Sequence, residues 1–240
     1  MRKHSSVFML LIRNKIYRVL FILLAMSAVS ILGFRFSGFM DAPMFGENYG
    51  TWFLGVTCLL GYVGCVISCT EFASAKSKRA YTYQRLRVSE REILLWDVLT
   101  NMLIFFVLYG TEIIILGILA KMYAAAPGYV QGEQGIVAAC YRSAFLHGMI
   151  PMAERGLWIR NICLVLIFGI LCSCASVDMR YNSKPPILIF FLEIILVLCI
   201  PSDPGQGSYL LTVCGMIAAI FLLVDRCVRS HNGKRRSEDA

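Results

Sequence analysis

Apolar residues come in runs along this chain rather than at the three-to-four-residue spacing of a soluble amphipathic helix, and polar clusters separate the runs. Six runs stand out, at 19–34, 51–69, 93–120, 162–177, 187–200 and 209–224. At roughly 1.5 Å per residue the third is longer than the ~30 Å hydrocarbon layer, so part of it projects or tilts. The fourth and fifth, 16 and 14 residues long, span only with help from flanking turns. The fifth begins after Pro185 and Pro186, where proline suits a first helical turn, and ends at the breaker PSDPG, 201–205. In the second run Gly61, Gly64, Cys65 and Ser68 recur at helical spacing, the small-residue pattern that lets helices approach closely in lipid.

The expected fold is therefore all-α: a polytopic membrane domain of six transmembrane helices over 19–225. Residues 1–18, in which Arg2, Lys3, Arg13, Lys15 and Arg18 alternate with apolar positions, read as an N-terminal amphipathic interfacial helix before an uncleaved first span. Residues 136–153 read as an external surface helix, followed by a return into the bilayer where Trp158 and Arg160 anchor the fourth span. Residues 226–240 read as a basic, solvated cytoplasmic tail.

Composition agrees with this pattern. Of 240 residues 58% are hydrophobic and only 16% charged, which leaves no large soluble domain. The formal charge of +8 is basic enough to suggest nucleic acid in a soluble protein; here it follows topology, since Lys and Arg gather on the cytoplasmic side. With both termini cytoplasmic, that side receives 18 of the 23 basic residues and the other only Arg35, Lys121, Arg142, Arg155 and Arg160. Ten cysteines lie mostly inside the apolar runs with no CxxC or Cys/His zinc spacing, and read as small packing residues. His147 has no companion at ligand spacing and reads as a surface residue. No metal site is expected.

The most informative connection is 71–92, EFASAKSKRAYTYQRLRVSERE. Ser89 and Glu92 fit a capping box, flanked by Val88 and Ile93 as a hydrophobic staple, so a helix starts near Glu90. The stretch 76–87 has helical composition without an insertable apolar face, which gives a helix–turn–helix elbow between spans two and three. An N-terminal surface helix, six spans, a basic elbow reading YTYQRLRVSERE at 81–92 and a short fifth span together resemble an ABC-2-type permease, the membrane subunit of a bacterial ATP-binding-cassette transporter. Arg87 stands where members of that family commonly carry proline. The resemblance implies that the elbow is a cytoplasmic coupling helix docking into an ATPase subunit, with Tyr81, Tyr83, Arg85, Leu86, Arg87, Val88, Ser89 and Glu92 as docking residues. It implies as partners two ABC ATPase subunits, a second permease copy or paralogue, and the lipid of a bacterial cell membrane. Export is the usual direction in that family.

The chain has no GxxxxGK[ST] loop, so ATP and Mg would be bound by the partner; no cofactor and no catalytic residue is expected in this subunit. Within the spans, Asp97, Asn101 and Glu112 fall on one side of span three, since Asn101 and Glu112 are separated by about 20° on the helical wheel. With Glu193 in span five they are candidates for a pathway or a subunit interface, because a carboxylate in lipid must face a cavity or a partner. Glu112 has a structural alternative, an ion pair with Lys121, Arg142 or Arg160. Two other readings compete: an ion-coupled secondary carrier using Glu112 and Glu193, and a membrane-embedded enzyme. The first lacks an inverted repeat and the second lacks HExxH, GxSxG or paired intramembrane aspartates.

Overall fold

The computed structural model describes residues 2–36, 49–70, 89–124, 137–138, 141, 143–152, 154–181, 186–200 and 205–238. Among them are seven helices and no strand: α1 (Arg2–Phe36), α2 (Tyr49–Cys69), α3 (Glu90–Ala124), α4 (Ala144–Met149), α5 (Arg155–Tyr181), α6 (Ile187–Leu198) and α7 (Gln206–Glu238). Four contain stretches long and apolar enough to cross a membrane, Val7–Phe36, Glu90–Tyr123, Arg155–Met179 and Gly207–Arg229. The remaining two expected spans correspond to shorter apolar helices, Phe53–Cys69 within α2 and Ile187–Leu198.

The surface is inverted relative to a water-soluble bundle. Leu20, Phe21 and Leu24 on α1 and Leu210, Val213, Ile217 and Phe221 on α7 are exposed, whereas Lys15, Asp97, Asn101, Glu112, Arg160 and Glu193 are buried. Apolar side chains outward and polar ones inward suit a lipid solvent, in which the expensive groups turn toward each other. This is the architecture of a membrane protein.

Helix α5 is the hub. Of its most apolar stretch 72% is buried, and it packs against α3 on one flank and α7 on the other, while α1 packs against α2 and α3. A ladder of rings holds the centre: Phe105 of α3 lies 5.3 Å from Phe168 of α5 and 6.2 Å from Tyr62 of α2, centroid to centroid. Glycine permits the closest crossing. A Cβ on Gly169 would sit 2.9 Å from the backbone nitrogen of Met102, so α3 and α5 meet backbone to backbone there. Gly61 likewise receives the Met26 side chain, joining α1 to α2 as the small-residue pattern predicts.

Several boundaries differ from the sequence expectation. The N-terminal segment 1–18 is not a separate surface helix: α1 continues without a break from Arg2 to Phe36, because Val7, Leu11, Lys15 and Val19 form one buried stripe at four-residue spacing that carries straight into the first span. In the 136–153 region, the helix described in full is only the six residues Ala144–Met149, and Phe145, Leu146 and Met149 are buried in the core rather than lying on a surface. Helix α5 starts at Arg155, seven residues before the apolar run at 162. The tail continues α7 as helix to Glu238. Helix α3 begins at Glu90, where the Ser89 hydroxyl accepts from the backbone N–H of Glu92 at 3.3 Å.

Candidate functional site

Two buried polar clusters lie at opposite ends of the bundle. The first joins α1, α3 and α5. Lys15 donates to Asp97 Oδ1 at 2.6 Å and to Asn101 Oδ1 at 2.8 Å. Asn101 uses its other amide group to donate to Ser173 Oγ at 2.8 Å, and Ser173 donates to the carbonyl of Gly169 at 2.9 Å. Each of Lys15, Asp97, Asn101 and Ser173 is at most 1% exposed. An ammonium and a carboxylate at that depth persist only as a pair, since either alone would carry the full cost of desolvation. The pair therefore fixes the N-terminal half of α1 against the first turns of α3, and Asn101 extends the link to α5. Near the same end, Arg226 of α7 donates to Asp178 of α5 at 2.8 Å.

The second cluster closes the other end. Arg160, 2% exposed, donates to Asn161 Oδ1, to Ser208 Oγ of α7 at 2.9 Å and to the Gly148 carbonyl. Asn161 donates to the Tyr109 hydroxyl at 2.9 Å and to the Gly148 carbonyl at 2.8 Å, and Tyr109 donates to the Met149 carbonyl at 2.9 Å. Gly148 and Met149 end α4, whose last carbonyls have no partner within so short a helix. The side chains of α3 and α5 supply what the helix lacks. Arg160 is thus an interior strut and not the exposed interfacial anchor expected from the sequence. Trp158 remains half-buried, with its ring edge-on to Tyr109 at 6.4 Å. His147 lies 5.7 Å from the Tyr141 ring and 3.7 Å from Glu154, partly covered.

These contacts set relative helix directions. The starts of α1 and α3 and the ends of α5 and α7 share one end of the bundle; the starts of α5 and α7 share the other with Tyr109 and α4.

Of the residues singled out in the sequence, Asp97 and Asn101 meet in the first cluster. Glu112, on the same buried side of α3, lies farther along the helix against the Cys58 thiol of α2. Its Oε1 has no hydrogen-bond partner among the described residues, and its expected partners are elsewhere: Lys121 is exposed and Arg160 is committed to neutral acceptors. Arg142 lies outside the described residues. Glu193 is 1% exposed on α6 beside Cys172. Ser89 and Glu92 form the start of α3, while Tyr81, Tyr83, Arg85, Leu86, Arg87 and Val88 lie outside the described residues.

Sequence reading missed Lys15 as an interior residue, and with it Ser173, Tyr109 and Asn161. For Lys15 a signal existed: it falls in phase with Val7, Leu11 and Val19, so a single continuous helix would have turned it inward. Ser173, four residues after Gly169 in an apolar run, carried a weaker one. Comparison of the chain with protein-family models, with curated proteins and with solved structures gave no match.

Proposed function

We propose that this chain is the permease subunit of an ATP-driven ABC-2-type transporter, acting as an exporter in a bacterial cell membrane, with six spans and both termini cytoplasmic. The observation that carries the reading is the mechanical rooting of the 71–88 connection. It leaves the end of α2 and enters α3 at a capped start, and within about three and a half turns of that cap α3 is tied to α1 through Lys15–Asp97 and to α5 through Asn101–Ser173. A push delivered to the connection is therefore passed to three helices at once. That is what a lever needs, because a stiff rod with a braced root transmits displacement that a loose loop would absorb. The resemblance of 81–92 to a coupling elbow supplies the partner: a separate ATPase, with Tyr81, Tyr83, Leu86 and Val88 as apolar contacts and Arg85 and Arg87 as rim charges. On this reading the four buried polar residues Asp97, Asn101, Glu112 and Glu193 are the candidates for the pathway or for the interface with a second permease subunit.

The test is co-purification of the full chain with its ATPase. Changing Tyr83, Leu86 and Arg87 together to alanine is expected to abolish assembly and stimulated ATP hydrolysis while leaving the membrane domain folded. Intact assembly and hydrolysis in that variant would overturn the docking role of the elbow.

A further inference from the structure

Glu193 is the ionisable group whose surroundings the permease reading does not use. Helix α6 is among the most apolar segments of the chain, ILIFFLEIILVL, with the single carboxyl at its seventh position. The helix turns that carboxyl inward: Ile189, Glu193, Leu196 and Val197 are buried while Leu188, Phe191, Ile194 and Leu198 are exposed. Neither carboxyl oxygen has an N–H or O–H partner among the described residues, and the polar group beside it is the Cys172 thiol.

Among the described residues, what faces it is neutral. Helix α6 packs against α2, α5 and α7. From α5 comes the Cys172 thiol and from α2 the Cys69 thiol, both electrostatic neighbours of Glu193; α7 meets α6 through Gly215, which packs on Leu196. Beyond the thiols lies the first cluster, whose Lys15 and Asp97 act on Cys69 as well. Its ammonium, however, is held at 2.6 Å by Asp97 and at 2.8 Å by Asn101. Among the described residues the charge pairs at this end, Lys15–Asp97 and Arg226–Asp178, are each already balanced, and an ionised Glu193 would add an uncompensated negative charge to a low-dielectric interior, at a cost that such groups escape by taking up a cation. A sodium or potassium ion needs several oxygen ligands, and thiols are poor ones for a hard cation. A proton needs a single oxygen.

We infer that Glu193 is a proton-binding site, occupied in this arrangement of helices, with the protonated carboxyl packed against the Cys172 thiol. The inference is independent of the permease reading, since it follows from burial and charge balance alone. No bond other than O–H forms or breaks: a carboxylate oxygen takes a proton from hydronium, leaving water, and on release the proton returns to water as hydronium.

Infrared spectroscopy of the full chain in lipid nanodiscs reads this directly, because a protonated carboxyl absorbs apart from carboxylates and amides and shifts to lower frequency in D2O. Among the described residues Glu112 is the other buried glutamate, so the measurement uses the Glu112→Gln chain. At neutral pH a deuterium-sensitive carboxylic band is expected there and is expected to vanish when Glu193→Gln is added; Gln is close to isosteric with the protonated acid, so the double variant should keep its thermal midpoint. Should that variant fail to fold, glutamate labelled with 13C at its carboxyl must shift the band, which separates it from any aspartic acid. Absence of the band in the Glu112→Gln chain, its persistence after Glu193→Gln, or its failure to shift with labelled glutamate would each overturn the inference. So would a sodium- or potassium-dependent rise in thermal midpoint that Glu193→Gln removes, which would assign the site to a metal cation instead.

Discussion

An ammonium group buried between helices carries a desolvation cost that only a close counter-charge and further hydrogen bonds offset. Lys15 meets both conditions through Asp97 and Asn101, and the two side chains are locked to each other by that cost more than by any net gain. Lys15→Met is therefore expected to lower stability by about 3–5 kcal/mol, the usual penalty for orphaning one member of a buried pair. Adding Asp97→Asn should restore most of the loss, because the buried charge is then gone. Unfolding of the single and double variants in detergent, followed by tryptophan fluorescence, checks this. If the double variant is no more stable than Lys15→Met alone, the pair is not the source of the stability.

At the scale of elements, the short helix α4 is the clearest case of structure imposed from outside. Six residues cannot hold a helix by themselves, since nucleation costs more than one turn of hydrogen bonds returns. It persists because Ser143 caps its start, Phe145, Leu146 and Met149 are buried, and Asn161, Arg160 and Tyr109 take its final carbonyls. Asn161→Leu should release it, raising amide hydrogen exchange across residues 144–149 at least tenfold while the middle of α3 stays protected. That corresponds to losing about 1–3 kcal/mol, the cost of leaving buried hydrogen-bonding groups unsatisfied. Equal protection in variant and parent would show that packing alone seats α4. The same scale shows where sequence reading succeeds and fails. The Ser89 cap was legible because a capping box is a local signal, read within four residues. The extent of α4 was not, because its partners lie 12, 13 and 40 residues away.

The whole molecule is a bundle whose polar residues brace it at both ends and whose apolar residues face outward. Contacts at one end bring the start of α1 beside the ends of α5 and α7, so both termini of the chain emerge from the same end of the bundle. The expected outcome for epitope tags placed before residue 1 and after residue 240 is joint behaviour: protease reaches both or neither in vesicles of one orientation, and on the proposed cytoplasmic placement it removes both from inside-out vesicles. A split result would contradict an even number of crossings.

What the sequence determined by itself is the solvent and the positions of the apolar helices, because the length and apolarity of a run and the local chemistry of a cap are properties of contiguous residues. Apolar runs of this length require lipid, and Ser89 with Glu92 requires a helix start, whatever the rest of the chain does. Only the tertiary structure decided which polar residues meet. Lys15 and Asp97 are 82 positions apart, and Arg160 and Ser208 are 48 apart. Helical phase turned each of them inward, but which inward-facing groups share a depth depends on how far the helices slide along one another. That offset is set by Gly169 against Met102 and by the rings of Tyr62, Phe105 and Phe168, contacts between distant parts of the chain that no single run encodes.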